Sequence, residues 1–136
     1  MALELRFLDS IDDAGKAELA TLYRLVGWIG PEDGDDFLRG VVSGSLLFGA
    51  AFDGKRIVGC GRVISDGVSD AYLQDIAVHP NWRRQGVGGR IVRFLTDELR
   101  RRGIDWIGLV GVPGTERFYP EQGFEAVPGY TFYRLK

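Results

Sequence analysis

An α/β fold is predicted for this chain from three features of its sequence. Runs rich in apolar and β-branched residues alternate with segments whose apolar residues recur every three or four positions, as in strands and amphipathic helices. Asp53-Gly54 separates two strand-like runs and is a strong hairpin signal, because both residues tolerate positive φ angles. A basic, glycine-rich loop joins the next strand to the longest helical pattern. The predicted order of elements is βααβββαβαββ.

The first half of the chain is predicted to contain a strand, two helices and the hairpin. The first strand alternates apolar with charged residues. Asp12 or Asp13 can cap the first helix, in which Leu19, Leu22 and Tyr23 lie at helical spacing. The predicted ranges are 3–8 for the strand, 13–26 and 36–42 for the helices, and 46–52 and 56–65 for the hairpin.

The second half is organised around an amphipathic helix that starts at about Gly88. Ile91, Leu95 and Leu99 form its apolar stripe together with Phe94, and Gly103 supplies a left-handed cap. The other predicted elements are a strand over 72–78 that Pro80 stops, a strand over 104–110, a short helix over 115–121, and a closing hairpin of strands 124–127 and 130–135 around Pro128-Gly129.

Composition limits the classes of protein that fit. The 136 residues suffice for one compact domain over residues 1–136, and the net charge of −2 argues against general nucleic-acid binding. No apolar run approaches the ~20 residues that span a bilayer, so no membrane partner is expected. Cys60 is the only cysteine, and with a single His79 it offers too few soft ligands for a metal site. A cytoplasmic location fits this composition best.

The loop before the central helix is a candidate phosphate site. The first turn of a helix has unpaired N–H groups and partial positive charge. Glycines at 86, 88 and 89 let an anion approach the backbone, and Arg83, Arg84 and Arg90 add full charges. The Walker pattern fails because no Gly-Lys-Ser/Thr follows, and the dinucleotide pattern fails because Ile91 stands where glycine is needed.

The residues that remain, Arg83 to Gly88, resemble the Gln/Arg-x-x-Gly-x-Gly/Ala pyrophosphate loop of the GCN5-related N-acetyltransferase (GNAT) superfamily. A second stretch, Phe118 to Phe124, is similar to that family's Phe-Tyr-x-x-x-Gly-Phe. The resemblance covers roughly residue 45 to the C-terminus. It implies the GNAT acyl-CoA N-acyltransferase fold, a mixed sheet with helices on both faces, in which two strands splay apart around the thioester of acetyl-CoA.

The resemblance also implies the residues that bind the co-substrate. The strand residues Ile76, Ala77 and Val78 would offer backbone groups to the pantetheine arm. The pyrophosphate would lie against the loop and helix start, formed by Arg83, Arg84, Gln85, Gly86, Val87, Gly88, Gly89 and Arg90. No metal is implied.

Acetyl transfer to an amine needs a proton donor for the departing thiolate and a group that takes the proton of the amine. Tyr119 stands at the family's general-acid position; otherwise it is a core tyrosine packed beside two phenylalanines. For the base, the sequence leaves open Asp75, if a β-bulge re-aims it, and a water relay held by Gln74 or Tyr72. The acidic loop with Glu32 is interpreted as solvated rather than as an attractor of cationic amines.

The sequence therefore predicts an acetyl-CoA-dependent N-acetyltransferase in which a primary amine attacks directly within a ternary complex. A small molecule is favoured over a protein lysine or N-terminus as the acceptor, both stay open, and the resemblance allows a homodimer. The alternative is an acyl-CoA-binding sensor without transferase activity; a nucleic-acid binder is disfavoured. Cys60 is predicted to be a buried filler, His79 a turn residue, and Trp28, Trp82 and Trp106 packing anchors.

Overall fold

The computed structural model describes residues 2–136, in which five strands form one mixed sheet in the order β1-β2-β3-β4-β5. Neighbouring strands are antiparallel except β4 and β5, which run parallel. The elements are β1 (Glu4–Phe7), α1 (Asp13–Leu25), α2 (Phe37–Gly44), β2 (Leu47–Asp53), β3 (Arg56–Ser65), β4 (Asp70–Val78), α3 (Val87–Arg101), β5 (Trp106–Leu109) and α4 (Phe118–Glu121), with a 3-10 turn at Pro80–Trp82.

The sheet separates two apolar cores, one on each face. Helices α1 and α2 cover one face, where Leu19, Leu22 and Leu38 are fully buried. Helix α3 covers the other face, and its predicted stripe is confirmed at Ile91, Leu95 and Leu99, which are fully buried there. Phe94, the fourth predicted member, is half-buried and stacks on Phe7 with ring centroids 4.0 Å apart. In the described part of the chain, no helix combines the length and apolar character needed to cross a membrane. The α/β class with helices on both faces is therefore confirmed.

The cap at the end of α3 explains why the strand that follows starts later than predicted. Gly103 has φ +83°, and its N–H donates to the Arg100 carbonyl at 2.9 Å. The Ile104 N–H donates to the Leu99 carbonyl at 3.0 Å, which completes a Schellman motif. The predicted cap is confirmed. The strand predicted from Ile104 begins instead at Trp106, because the Ile104 backbone still belongs to the helix end.

The predicted closing hairpin is wrong. Residues 124–127 and 130–135 form no strand, although the turn at Pro128-Gly129 is present and Gly129 has φ +85°. A strand needs a hydrogen-bonded neighbour, and neither run pairs with the sheet or with the other run. Over residues 2–136 the order of elements is therefore βααβββαβα, without the last two predicted strands.

Candidate functional site

Strands β4 and β5 separate before β4 ends. Their parallel pairing runs from Asp70–Trp106 to Leu73–Leu109, whereas β4 continues to Val78. Among residues 2–136, no strand therefore lies beside the β5-facing backbone of residues 74–78. This is the splayed geometry that the resemblance implied, and it leaves an extended backbone edge available to a ligand.

A cavity of about 860 Å³ opens at this gap. Its walls come from the end of β4, the start of α3, the end of α1, the loop after β5, and α4. The residues that line it are Val26, Trp28, Ile76, Ala77, Val78, Trp82, Arg83, Arg84, Gly86, Val87, Gly88, Gly89, Arg93, Pro113, Gly114, Thr115, Phe118, Tyr119, Glu121 and Gln122.

The N-terminus of α3 presents free backbone donors to this cavity. Gly86 caps the helix with φ +77°, which only glycine adopts without strain, and Arg84 is also left-handed with φ +62°. The Arg90 N–H is the one that bonds the Gly86 carbonyl, at 3.1 Å. The N–H groups of residues 87–89 precede it in the first turn, where no intrahelical acceptor exists. These donors and the helix dipole favour an anion.

Most of the predicted cofactor-binding residues meet at this cavity, but two do not. Ile76 to Val78, Arg83, Arg84 and Gly86 to Gly89 all line it. Gln85 lies outside the wall, because its side-chain amide donates to the Asn81 carbonyl at 3.2 Å. Arg90 is exposed and also lies outside the wall. The positive charge on the cavity wall therefore comes from the two loop arginines and from Arg93, whose Nη1 atom donates to Gln122 Oε1 at 3.0 Å.

Tyr119 fits both interpretations that the sequence left open. It lines the cavity and also packs edge-on against Phe118, with ring centroids 4.8 Å apart, and against Phe124 at 6.0 Å. Burial raises the pKa of the phenol above its ordinary value of 10. The hydroxyl is therefore protonated at neutral pH and can act as a donor into the cavity.

Asp75 lies in a β-bulge, which is the condition under which the sequence made it a candidate for the base. The register of β3 and β4 shifts between Cys60 and Arg62, and Asp75 has φ +55°. Its Oδ2 atom accepts a hydrogen bond from Arg62 Nε at 2.7 Å, with both side chains less than a third exposed. The carboxylate is thus engaged by a cation. Neither Asp75 nor the exposed Gln74 is part of the cavity wall.

Two further side chains lie close to the bulge on the α1 face. The Tyr23 hydroxyl is buried and has no hydrogen-bond partner among residues 2–136. Burial, with smaller contributions from Cys60 and Asp75, raises the pKa of this phenol. The fully buried Cys60 thiol donates to the Asp75 carbonyl at 3.6 Å, and burial raises its pKa as well, so the predicted filler role fits. Two buried and neutral polar groups, the Tyr23 phenol and the Cys60 thiol, therefore lie next to the bulge.

Sequence reasoning missed the wall contributed by α1. Trp28 lines the cavity and packs edge-on against Tyr23, with ring centroids 5.0 Å apart, and Val26 lies beside it. Trp82 lines the cavity while it packs against the core under α3, and Trp106 is 52% exposed and packs edge-on against Tyr72. The available signal was that Trp28 follows the apolar face of a helix, but only the packing of α1 against β4 brings it to the site.

The acidic residues of the loop before α2 are held by local partners. Lys16 Nζ lies 2.5 Å from Asp36 Oδ1 and 3.4 Å from Asp35 Oδ1, and the hydrogen bond from Lys16 lowers the pKa of Asp36. The Asp33 carboxylate accepts a hydrogen bond from the Gly30 N–H at 2.5 Å. These contacts agree with the interpretation of this stretch as a solvated surface loop rather than with a role in attracting the acceptor.

Comparison with known proteins identifies the family. Residues 43–126 match the model of the acetyltransferase (GNAT) domain, which is more than half of the chain. The chain belongs to the GNAT family. The matched stretch contains the splayed end of β4, the glycine-rich loop before α3, α3 itself and Tyr119.

Relatives by sequence are N-acetyltransferases. The chain is 32% identical over 73 residues to an uncharacterized ycf52-like N-acetyltransferase of Prochlorococcus marinus, covering 54% of this chain and 41% of that protein. It is 33% identical over 91 residues to serotonin N-acetyltransferase 2 of Oryza sativa subsp. japonica, covering 64% and 46%. The chain thus spans less than half the length of each of these relatives.

Solved structures share the fold over nearly the whole chain. A GNAT-family acetyltransferase from Streptococcus pneumoniae superposes with a TM-score of 0.77 at 23% identity, covering 99% of this chain and 100% of that one. Glucosamine-6-phosphate N-acetyltransferase from Arabidopsis thaliana gives 0.76 at 14% identity, covering 100% of both chains. At these identities the likeness concerns the fold.

Proposed function

We propose that this chain is an acetyl-CoA-dependent N-acetyltransferase that transfers an acetyl group to a primary amine by direct attack in a ternary complex. One observation carries the proposal. A single cavity joins the free backbone edge of β4, the free N–H groups that start α3, and the hydroxyl-bearing Tyr119. This arrangement suits a long ligand with an anionic part at one end and a reacting group at the other.

In this scheme the pyrophosphate of acetyl-CoA binds at residues 86–89, where backbone donors, the helix dipole, Arg83 and Arg84 all favour negative charge. The pantetheine arm lies along Ile76 to Val78 and pairs with their unpaired backbone groups. Gln85 and Arg90 have a smaller part than the sequence suggested, because they lie outside the cavity wall. The scheme uses no metal.

The chemical step begins when a neutral amine nitrogen attacks the thioester carbonyl carbon. The carbon–sulfur bond then breaks, and the thiolate takes the proton of the Tyr119 hydroxyl. The attacking nitrogen loses one proton, which leaves an amide and free CoA. Tyr119 can give its proton at neutral pH because burial keeps the phenol protonated.

The group that accepts the amine proton stays open between two routes. Asp75 is on the α1 face at a strained bulge, but its Oδ2 atom is already bonded to Arg62. In the second route a water molecule held by Gln74 or Tyr72 passes the proton to solvent. We propose that Asp75, if it acts, does so through its other oxygen while Arg62 holds its orientation.

The acceptor that fits best is a small amine rather than a protein. Trp28 and Val26 give the acceptor side of the cavity an apolar wall, which suits a compact body with apolar surface. The rice relative is named for serotonin, an amine of this kind, and an aminoglycoside acetyltransferase shares the fold. A single N-acetyltransferase domain over residues 1–136, a cytoplasmic location and a homodimer stay predictions.

The second candidate is an acyl-CoA sensor that performs no transfer. The observation in its favour is the ion pair with Arg62, which already engages Asp75, the carboxylate that the sequence offered as the base. A panel of amines assayed for CoA release decides between the two. Release above the rate of thioester hydrolysis establishes transfer, whereas binding without amine-dependent release establishes a sensor.

Thermal unfolding with and without acetyl-CoA tests the cofactor first, with CoA, ATP and NAD as comparison ligands. A ligand at 100 times its Kd adds about 2.7 kcal/mol to stability, or roughly 8–12 °C in midpoint for a domain of this size. We expect this shift with the two CoA species alone. No shift at saturating acetyl-CoA would refute the phosphate-loop assignment.

A further inference from the structure

Helix α4 is a single turn that carries Tyr119, the proposed acid. One turn of helix is not stable by itself, because it forms too few internal hydrogen bonds to offset the ordering of its backbone. Its N-cap residue is Arg117, whose side chain has no acceptor atom for the free N–H groups of the turn. The position of the Tyr119 hydroxyl therefore depends on what holds α4 against the rest of the chain.

The first turn of α3 makes room for α4 through two glycines. A Cβ atom added to Gly88 would lie 3.2 Å from the Phe118 ring, and one added to Gly89 would lie 3.0 Å from Gln122 Oε1. Both separations are shorter than ordinary van der Waals contact, so a side chain at either position would push the ring or the amide away. The sequence predicts that these glycines admit an anion. In the structure their missing side chains also admit α4.

A polar contact joins the same two helices at the end of α4. Arg93, one turn after Gly89, donates from Nη1 to Gln122 Oε1 at 3.0 Å. The Gln122 N–H donates to the Tyr119 carbonyl at 2.9 Å, and the Phe124 N–H donates to the same carbonyl at 3.1 Å. The Gln122 side chain therefore anchors a turn whose backbone is bonded directly to Tyr119. The donor is charged, and hydrogen bonds of this kind are stronger than those between neutral groups.

We propose that Gln122 is a positioning residue for acyl transfer: it is held by Arg93 above Gly88 and Gly89, and it keeps Tyr119 at the wall of the cavity. The inference rests on the proposed function, in which Tyr119 protonates the departing thiolate. Gln122 acts through Tyr119 and not by contact with a reacting atom. Without this hydrogen bond, the remaining contacts of α4 with α3 are apolar, and apolar contact sets no direction.

Substitutions at Gln122 separate positioning from binding. Gln122→Leu removes the acceptor but keeps a side chain of similar size. We expect its kcat for amine-dependent CoA release to fall on the order of 10-fold, because a small misplacement of a reacting group lowers the rate steeply, whereas the Kd for acetyl-CoA stays nearly unchanged. Gln122→Glu keeps an acceptor for Arg93 and should therefore keep most of the wild-type kcat.

Gly89→Ala tests the same contact from the side of α3. It keeps the Gly89 N–H but puts a methyl group where the Gln122 amide lies, so kcat should fall as it does in Gln122→Leu. Alanine is also a better helix former than glycine, so this variant retains its fold. Glu125→Leu is the matched control, an exposed polar residue three positions beyond Gln122, and it should leave kcat unchanged.

Hydrogen exchange of the backbone amides of residues 118–124, followed by mass spectrometry, measures the docking of α4 independently of activity. We expect faster exchange in Gln122→Leu than in the wild type, with Gln122→Glu and Glu125→Leu close to the wild type. Exchange that is unchanged in Gln122→Leu would show that α4 is held without this contact, and would overturn the inference.

The kinetic outcomes are equally decisive. Wild-type kcat in Gln122→Leu overturns the positioning role. A fall in kcat that Gln122→Glu shares shows a need for the amide itself rather than for a partner of Arg93. A rise in Kd as large as the fall in kcat places Gln122 in cofactor binding. A wild type that releases no CoA with any amine refutes the proposed function instead, and the exchange rates then still decide whether Gln122 holds α4.

Discussion

The two sides of the 860 Å³ cavity are built in different ways. The cofactor side comes from one continuous stretch, from Ile76 through the loop to Gly89, and it offers mainly backbone groups. The proposed acceptor side depends on distant elements: Val26 and Trp28, which follow α1, line the cavity, and the ion pair of Arg62 and Asp75 lies on β3 and β4 outside the cavity wall. Backbone donors at a helix start are present whatever the side chains, whereas the acceptor side depends on how distant elements pack.

The two sides of the cavity should respond differently to substitutions. On the cofactor side, the N–H groups in the first turn of α3 have no acceptor within the helix and stay available to a ligand. On the acceptor side, the polar groups are already engaged with each other, as in the pair of Arg62 with Asp75. Substitutions on the first side should therefore change ligand affinity, and substitutions on the second should change stability as well.

The largest effect is expected at Tyr119, where the two sides meet. Tyr119→Phe removes the proposed acid but keeps the ring contacts with Phe118 and Phe124. We expect kcat to fall by on the order of 100-fold or more, with the Kd for acetyl-CoA nearly unchanged. Steady-state kinetics and a binding titration check this. Unchanged turnover would remove Tyr119 from the mechanism.

The pH dependence of kcat gives a second measure of Tyr119. Its pKa is raised above 10 by burial, so the protonated form persists throughout the neutral range and is lost only as pH rises through that elevated pKa. We therefore expect no loss of kcat from this group across the neutral range. A basic limb that reports a phenol ionising between pH 7 and 9 would contradict the assignment.

A smaller effect is expected on the cofactor side. Arg83→Ala and Arg84→Ala each remove a cation from the cavity wall, and we expect each to weaken acetyl-CoA binding roughly 10-fold, since a charge-assisted hydrogen bond contributes about 1.5–3 kcal/mol. Arg101→Ala, at the opposite end of α3, is the control and should bind normally. Calorimetric titration measures all three. Equal losses in control and test variants would point to general charge rather than to the loop.

On the acceptor side, the first effect should be on stability. Arg62→Gln leaves the Asp75 carboxylate without its cation, and Asp75→Asn leaves the guanidinium without its acceptor. Each should cost about 1–3 kcal/mol, because both side chains are mostly buried. The double variant should cost less than the sum of the two. Thermal unfolding checks this, and strict additivity would mean that the pair is not coupled.

The smallest effect is expected at the far end of α3. Hydrogen bonds from Arg101, and then from Arg102, lower the pKa of Glu98 from 4.5 to about 2. The pair therefore stabilises the fold above pH 4.5, and this contribution is lost as pH falls toward 2. Glu98→Gln should lower the unfolding midpoint slightly at pH 7, with the difference from wild type vanishing near pH 2. A difference that grows on acidification would contradict the pairing.

The sequence alone determined most of the fold and the glycine-rich helix start that lines the cavity. The apolar stripe of α3, the Gly103 cap and the glycine-rich helix start are local features, and local propensity and spacing decide them. The β-bulge at Asp75 is different, because its position depends on the register of the neighbouring strand β3. The sequence therefore offered the bulge only as the condition under which the Asp75 side chain would turn toward the site. A positive φ at a non-glycine residue is imposed by the register of the neighbouring strand.

Only the tertiary structure decided the rest. The pairing of Asp75 with Arg62 and the arrival of Trp28 at the cavity depend on elements far apart in sequence. The closing hairpin failed for the same physical reason. Alternating apolar residues describe a chain that can be a strand, but the partner that makes it one is supplied by the packing of the whole molecule.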